Sequence, residues 1–124
     1  MNKIKKFDLN YSYDNEVDSI HIRITDDYEY GESLELEEGI ILDFSKDNVP
    51  VALEMLDISE LFSIDKDYFE NIDNINATIE ITSSSISLNL LIEASIHDKV
   101  INQPFSTITK NFINVPEISV ICSC

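Results

Sequence analysis

Along most of this chain, apolar and polar residues alternate with a period of two rather than 3.6. From Phe7 to Tyr13 the larger apolar side chains fall at Phe7, Leu9, Tyr11 and Tyr13, with Asp8, Asn10 and Ser12 between them. Successive strand side chains point to opposite faces, so this pattern predicts a half-buried strand. After "DNEVD" the pattern resumes, with Ile20, Ile22 and Ile24 inward and His21 and Arg23 outward. Two such runs across a short polar stretch predict a hairpin. The acidic segment "DDYEYGESLELEEG" holds Leu34 and Leu36 in alternation and predicts a short exposed strand or an extended loop ending at Gly39. A second hairpin follows around "SKDN". Ile40, Leu42 and Phe44 line one face of its first strand, and Val51, Leu53 and Met55 one face of its second. Pro50 has no backbone N–H, so it belongs at a strand's start or on an edge.

The alternation breaks at "DISELFSIDKDYFENI". There Leu61, Ile64, Tyr68 and Ile72 fall on one helical stripe, with Phe62 and Phe69 nearby. One helix or two short ones are expected between about Ser59 and Ile72, capped by Asp57 or Ser59; Asp57 and Glu60 have capping-box spacing. Strands then return in "ATIEIT" and, after "SSS", in "ISLNLLIEAS", where Ile86, Leu88, Leu90, Ile92 and Ala94 align inward. Beyond "HD" the chain shows isolated apolar residues, two prolines and a final strand at Ile118–Ile121. The expected fold is mainly β within the α+β class. It is an antiparallel β-meander of hairpins with one or two short helices near residues 59–72, in a single domain spanning 1–124.

Composition alters this picture chiefly through charge. The formal net charge is −16 and the pI is near 4.1. Residues 1–70 carry 19 acids against 6 bases (−13), whereas residues 71–124 carry 5 against 2 (−3). Seven acids and no base lie between Asp26 and Glu38: Asp26, Asp27, Glu29, Glu32, Glu35, Glu37 and Glu38. A field of this sign repels phosphate backbones and anionic lipid, so neither nucleic acid nor membrane is an expected partner. It favours a basic protein partner, and these seven residues are the candidate partner-binding set; plain solubility is the simpler reading of the same charge. Asp8 and Asn10 interrupt any apolar core after "MNKIKKF", so no secretory leader is expected. No apolar run approaches the ~20 residues of a membrane span. A cytoplasmic location is therefore expected. Cys122 and Cys124 are too close together for an ordinary structural disulfide and too few for a tetrahedral metal set, so reduced, frayed thiols are expected.

"YSYDNEVDSIHIRI" sets Asp14, Glu16 and Asp18 at the 1-3-5 spacing of a calcium loop. Ser19 and Thr25 occupy the positions where such a loop needs Gly and a bidentate Glu, and the flanks alternate as strands. The turn reading is preferred, with Val17 tucked inward. "YDNEVDSIHIRI" followed by "EGIILDFSKDNVPVALEMLDIS" resembles the bacterial and archaeal family numbered 2283 among the domains of unknown function. The features carrying it are a Tyr-Asp start, an acidic turn ending in Asp, a Gly-apolar-apolar-Asp strand and an apolar–Glu–apolar strand closing in Asp-x-Ser. The resemblance covers about residues 9–59. Asn48 and Ala52 stand where family members often carry Gly. It implies a compact β-meander and an antitoxin-like or partner-binding role, with residues 60–124 extending the sheet.

Catalysis has little to build on. Gly31 and Gly39 are the only glycines, so neither glycine-rich phosphate loop can form and classical nucleotide binding is excluded. Ser83, Ser84 and Ser85 lack the setting of an exposed nucleophile. Asp43 and Glu54 lie on the outward faces of the paired "IILDF" and "VALEML" strands. If register brings them together, repulsion would raise one pKa, as in acid–base pairs. Asp43, Glu54 and His21 are the weak catalytic candidates; no cofactor or metal is implied. The leading expectation is a non-enzymatic protein-interaction module. A small enzyme or ligand-binding protein using Asp43 and Glu54 is the alternative, and a cation-binding protein is a lesser one.

Overall fold

The computed structural model describes residues 3–124. Met1 and Asn2, at the head of the basic start, lie outside the described residues. In chain order the elements are β1 (Lys3–Asp14), β2 (Ser19–Ile24), β3 (Tyr30–Glu37), β4 (Ile40–Ser45) and β5 (Pro50–Met55), then α1 (Ile58–Phe62) and α2 (Lys66–Phe69). β6 (Ile72–Ile81), β7 (Ser85–Ile96), β8 (Lys99–Lys110) and β9 (Ile118–Ser123) complete the fold. The mainly β, mainly antiparallel class with two short helices is as expected.

The strand order is β3-β4-β5-β2-β1-β9-β6-β7-β8. Two three-stranded meanders thus flank a central group made of the β1–β2 hairpin and the C-terminal strand. β1 serves both halves. Its first residues, Lys3 to Asp8, pair in parallel with β9, and its last, Leu9 to Asp14, pair antiparallel with β2. The sheet folds over at this strand. Ile22, Ile24 and Leu53 from one half then line the same small interior space as Ala77, Ile79, Leu88 and Cys122 from the other. One apolar core runs through both halves. At the edges, Thr107 Oγ1 of β8 donates to Glu37 Oε2 of β3 at 3.3 Å.

Local chemistry explains the turns. Asn48 takes φ 62 in the β4–β5 turn, a left-handed conformation that Asn tolerates where a Gly would be at ease. His97 and Asp98 both have positive φ (48 and 66) and join Ile96 to Lys99 by a two-residue turn. Gly31 is required by proximity: a Cβ there would sit 2.6 Å from the Ser45 carbonyl oxygen.

Three expectations are corrected. The continuous stripe Leu61–Ile64–Tyr68–Ile72 does not form, because Ser63 turns left-handed at φ 56 and stops α1. Phe62 and Phe69 are buried instead, while Leu61 is exposed and Ile72 begins β6. The stretch read as isolated apolar residues is the twelve-residue strand β8. Its inward positions, Ile101, Gln103, Phe105, Thr107 and Thr109, are only half-buried at the sheet edge, so their apolar signal is diluted. Finally, Cys122 is not frayed. It lies inside β9, is 5% exposed, and burial pushes its thiol up to about 11, whereas Cys124 is exposed.

Candidate functional site

The acidic triplet is a turn with an unexpected interior. Asp14 accepts a hydrogen bond from the Glu16 backbone N–H at 2.9 Å, closing a local Asx turn. Asp18, at φ 55, turns inward and is 7% exposed, while Val17, expected inside, is 60% exposed. One Asp18 oxygen accepts from the Tyr13 hydroxyl at 2.7 Å and the other from Ser59 Oγ at 2.6 Å; the Ser59 N–H lies 3.3 Å from both. The Asp18 carbonyl also accepts from the Ile58 N–H at 3.0 Å. An aspartate 41 positions upstream therefore caps α1. Asp57, the expected cap, is left-handed at φ 50 and makes no side-chain cap bond. Burial by itself would raise the Asp18 pKa, but the bonds from Ser59 and Tyr13 outweigh it and hold the carboxyl below its usual range. Burial, then the bond to Asp18, pushes the Tyr13 phenol well above its ordinary value. With Asp18 committed inward, the three acids do not converge on a common point.

The catalytic candidates are brought only partly together. In register, Glu54 of β5 stands opposite Ile41 on one side and His21 on the other, while Asp43 stands opposite Ala52. Asp43 and Glu54 are thus diagonal neighbours on the outward face. Asp43 accepts from Ser33 Oγ at 2.6 Å, and Ser33 is in turn bonded to the Tyr30 hydroxyl at 2.6 Å. His21 and Glu54 line an open cleft of about 720 Å³ with Asp14, Glu16 and Glu70. Across it, Asn15 Nδ2 donates to Glu70 Oε1 at 2.7 Å.

All seven acidic candidates are exposed, on β3, on the loop before it or on the turn after it. β3 is a sheet edge, so Glu32 and Glu35 stand on the outermost strand of the fold. Among the described residues one ion pair forms, Lys46 Nζ to Glu29 Oε2 at 3.1 Å, with both side chains largely in solvent. Such an exposed pair contributes under about 1 kcal/mol. The other six carboxylates form no ion pair among the described residues. Asp26, Asp27 and Glu29 also line a groove of about 620 Å³, together with Phe7, Ile24, Tyr28 and Val51.

The family described as "Protein of unknown function (DUF2283)" matches residues 10–59. A protein of Methanosarcina mazei named "Putative hypoxanthine phosphoribosyltransferase" is 33% identical over 106 residues, covering 86% of this chain and 85% of that protein. Residues 10–59 of the chain belong to the DUF2283 family. No solved structure matches it. The DUF2283 segment corresponds to β1 from Asn10 through β5 and the start of α1, so Tyr13, Asp18 and Ser59 all fall inside it. The Asp18 contacts therefore join the opening and closing motifs of the matched segment. Sequence reasoning missed this junction, although the Tyr-Asp start, the Asp closing the turn and the Asp-x-Ser step were each in view. It missed the groove as well, since Phe7 and Tyr28 are 21 positions apart and only the fold sets them in one lining.

Proposed function

We propose that this DUF2283 protein is a non-enzymatic interaction module, cytoplasmic and antitoxin-like, whose acidic surface engages a basic protein partner. The observation that carries this reading is the run of exposed carboxylates from Asp26 to Glu38 on an edge strand and its flanking turns, with one ion pair among them. Concentrated charge of one sign steers and selects an oppositely charged partner. The same field disfavours nucleic acid and anionic membrane, and no described helix is long and apolar enough to cross a bilayer. The name of the Methanosarcina mazei relative would imply a phosphoribosyl substrate. The larger cleft offers such an anion little: it is lined by four carboxylates and no lysine or arginine.

The test is affinity purification of the tagged chain beside an unrelated bait of matching charge. A stoichiometric basic partner seen with this chain alone, and lost in a variant that neutralises Asp26, Asp27, Glu29, Glu32 and Glu35 together, is expected. No specific protein recovered even at low salt overturns the reading. A small ligand-binding or enzymatic role is the second reading, favoured by the register that sets His21 opposite Glu54 in the open cleft. A small ligand whose binding survives H21A and E54Q unchanged would remove that reading.

A further inference from the structure

We infer that the groove between Phe7 and Tyr28 is the docking point for an arginine-bearing, apolar-centred segment of the basic partner. This rests on the interaction reading above and narrows it to one place and one chemistry. The apolar part of the groove's lining comes from Phe7, Ile24, Tyr28, Val49 and Val51, two of them aromatic. Asp26, Asp27, Glu29 and Asp47 line it as well, against Lys5 and Lys46. Lys46 is engaged by Glu29 at 3.1 Å, so three carboxylates remain against one lysine. A guanidinium is the cation suited to such a place, because it stacks on aromatic faces while its fork binds a carboxylate bidentately. An apolar residue between two arginines can rest on Ile24 and Val51.

The groove is also built in advance. The loop carrying Asp26, Asp27 and Tyr28 is held at both ends by backbone bonds: Thr25 N–H to the Asp8 carbonyl at 2.9 Å, and Lys46 N–H to the Glu29 carbonyl at 2.9 Å. The close approach at Gly31 fixes the start of β3 against Ser45. A wall held in this way spares a partner the cost of ordering it. The larger cleft is the weaker candidate: Asn15 and Glu70 are bonded to each other across it, and its one phenol, Tyr13, has its hydroxyl committed to Asp18.

The test is an NMR titration of the full chain with two blocked peptides, acetyl-Arg-Leu-Arg-amide and acetyl-Glu-Leu-Glu-amide. The arginine peptide is expected to shift the amides of Phe7, Tyr28 and Val49, and the glutamate peptide to leave them in place. Tyr28→Ala should weaken binding about fivefold and Tyr28→Phe less than twofold, the scale of one cation–aromatic contact. D26N/D27N, changing two exposed side chains, should weaken it with the fold intact. Shifts confined to Glu32 and Glu35 on β3 would overturn the groove assignment and leave the wider interaction reading standing. No shift anywhere with the arginine peptide, together with an empty affinity purification, would overturn both. Equal shifts from the two peptides would overturn the groove's charge selectivity and with it the assignment.

Discussion

Asp18 shows how one side chain can tie distant parts of a chain together. It is a buried carboxylate satisfied from two elements, so its removal leaves Tyr13, Ser59 and the first turn of α1 without their acceptor. Asp18→Ala should lower unfolding free energy by about 2–3 kcal/mol in urea titration, the range for hydrogen bonds to a charged group. The pH dependence has a definite sign. The folded carboxyl is held below its unfolded value of about 3.9, so its contribution is present above that pH and lost as pH falls through the folded value. The stability gap between wild type and D18A should therefore close as pH drops below about 4. A gap constant from pH 7 to pH 2 would mean that ionised Asp18 contributes nothing through its charge. Cys122 and Tyr13 act at the other end of the scale. Their folded pKa values are raised, so the neutral forms are favoured and that stability is lost as pH rises, through about 11 for the Cys122 thiol. Native protein should expose one rapidly reacting thiol to a disulfide reagent at pH 8, that of Cys124, and two thiols in denaturant.

At the level of elements, the two outermost strands carry different protections against pairing. β3 presents glutamates; β8 uses a proline. The Asn111 N–H donates to the Ser84 carbonyl, on the same register that pairs Lys110 with Ser85, so odd-numbered residues of β8 turn their backbone groups toward β7. Even-numbered residues, Pro104 among them, face the open edge. Pro104 thus places its missing N–H at the middle of the strand's free edge, with Lys99 and Lys110 at its two ends, which are established ways of keeping edges apart. Pro104→Val restores the donor beside exposed Val100 and Ile108. It should promote self-association, read as a concentration-dependent rise in sedimentation coefficient. A monomer at all concentrations would assign the blocking role to the lysines or to charge.

Across the whole molecule, charge is distributed against the fold. The half with net charge −13 supplies β1 to β5, while the half with −3 supplies β6 to β9, and one core joins them. With a single ion pair among the described residues, self-repulsion should be screened as the Debye length falls from ~10 Å at 0.1 M to ~3 Å at 1 M salt. The melting temperature should rise by about 3 °C or more over that range of sodium chloride, in a single transition because β1 is shared by both halves. A flat profile would show that the carboxylates are already well separated in solvent.

What could be read in advance was local. Alternation at Ile20–Ile24, Ile40–Phe44 and Ile86–Ala94 named the buried face of each strand, because a side chain's face depends only on its position along that strand. The turns at "SKDN" and "SSS" were legible for the same reason: each is made by residues a few positions apart. Neighbour choice was not legible. Backbone hydrogen bonds are nearly indifferent to side-chain identity, so nothing in "ISVICS" says that it lies between β1 and β6, and nothing in β5 says that it adjoins β2. Those pairings follow from burying one continuous core. They also bring Asp18 to Ser59 and Glu54 to His21, and set Phe7 and Tyr28 in one groove, placing together residues far apart in the chain once the sheet has closed over itself.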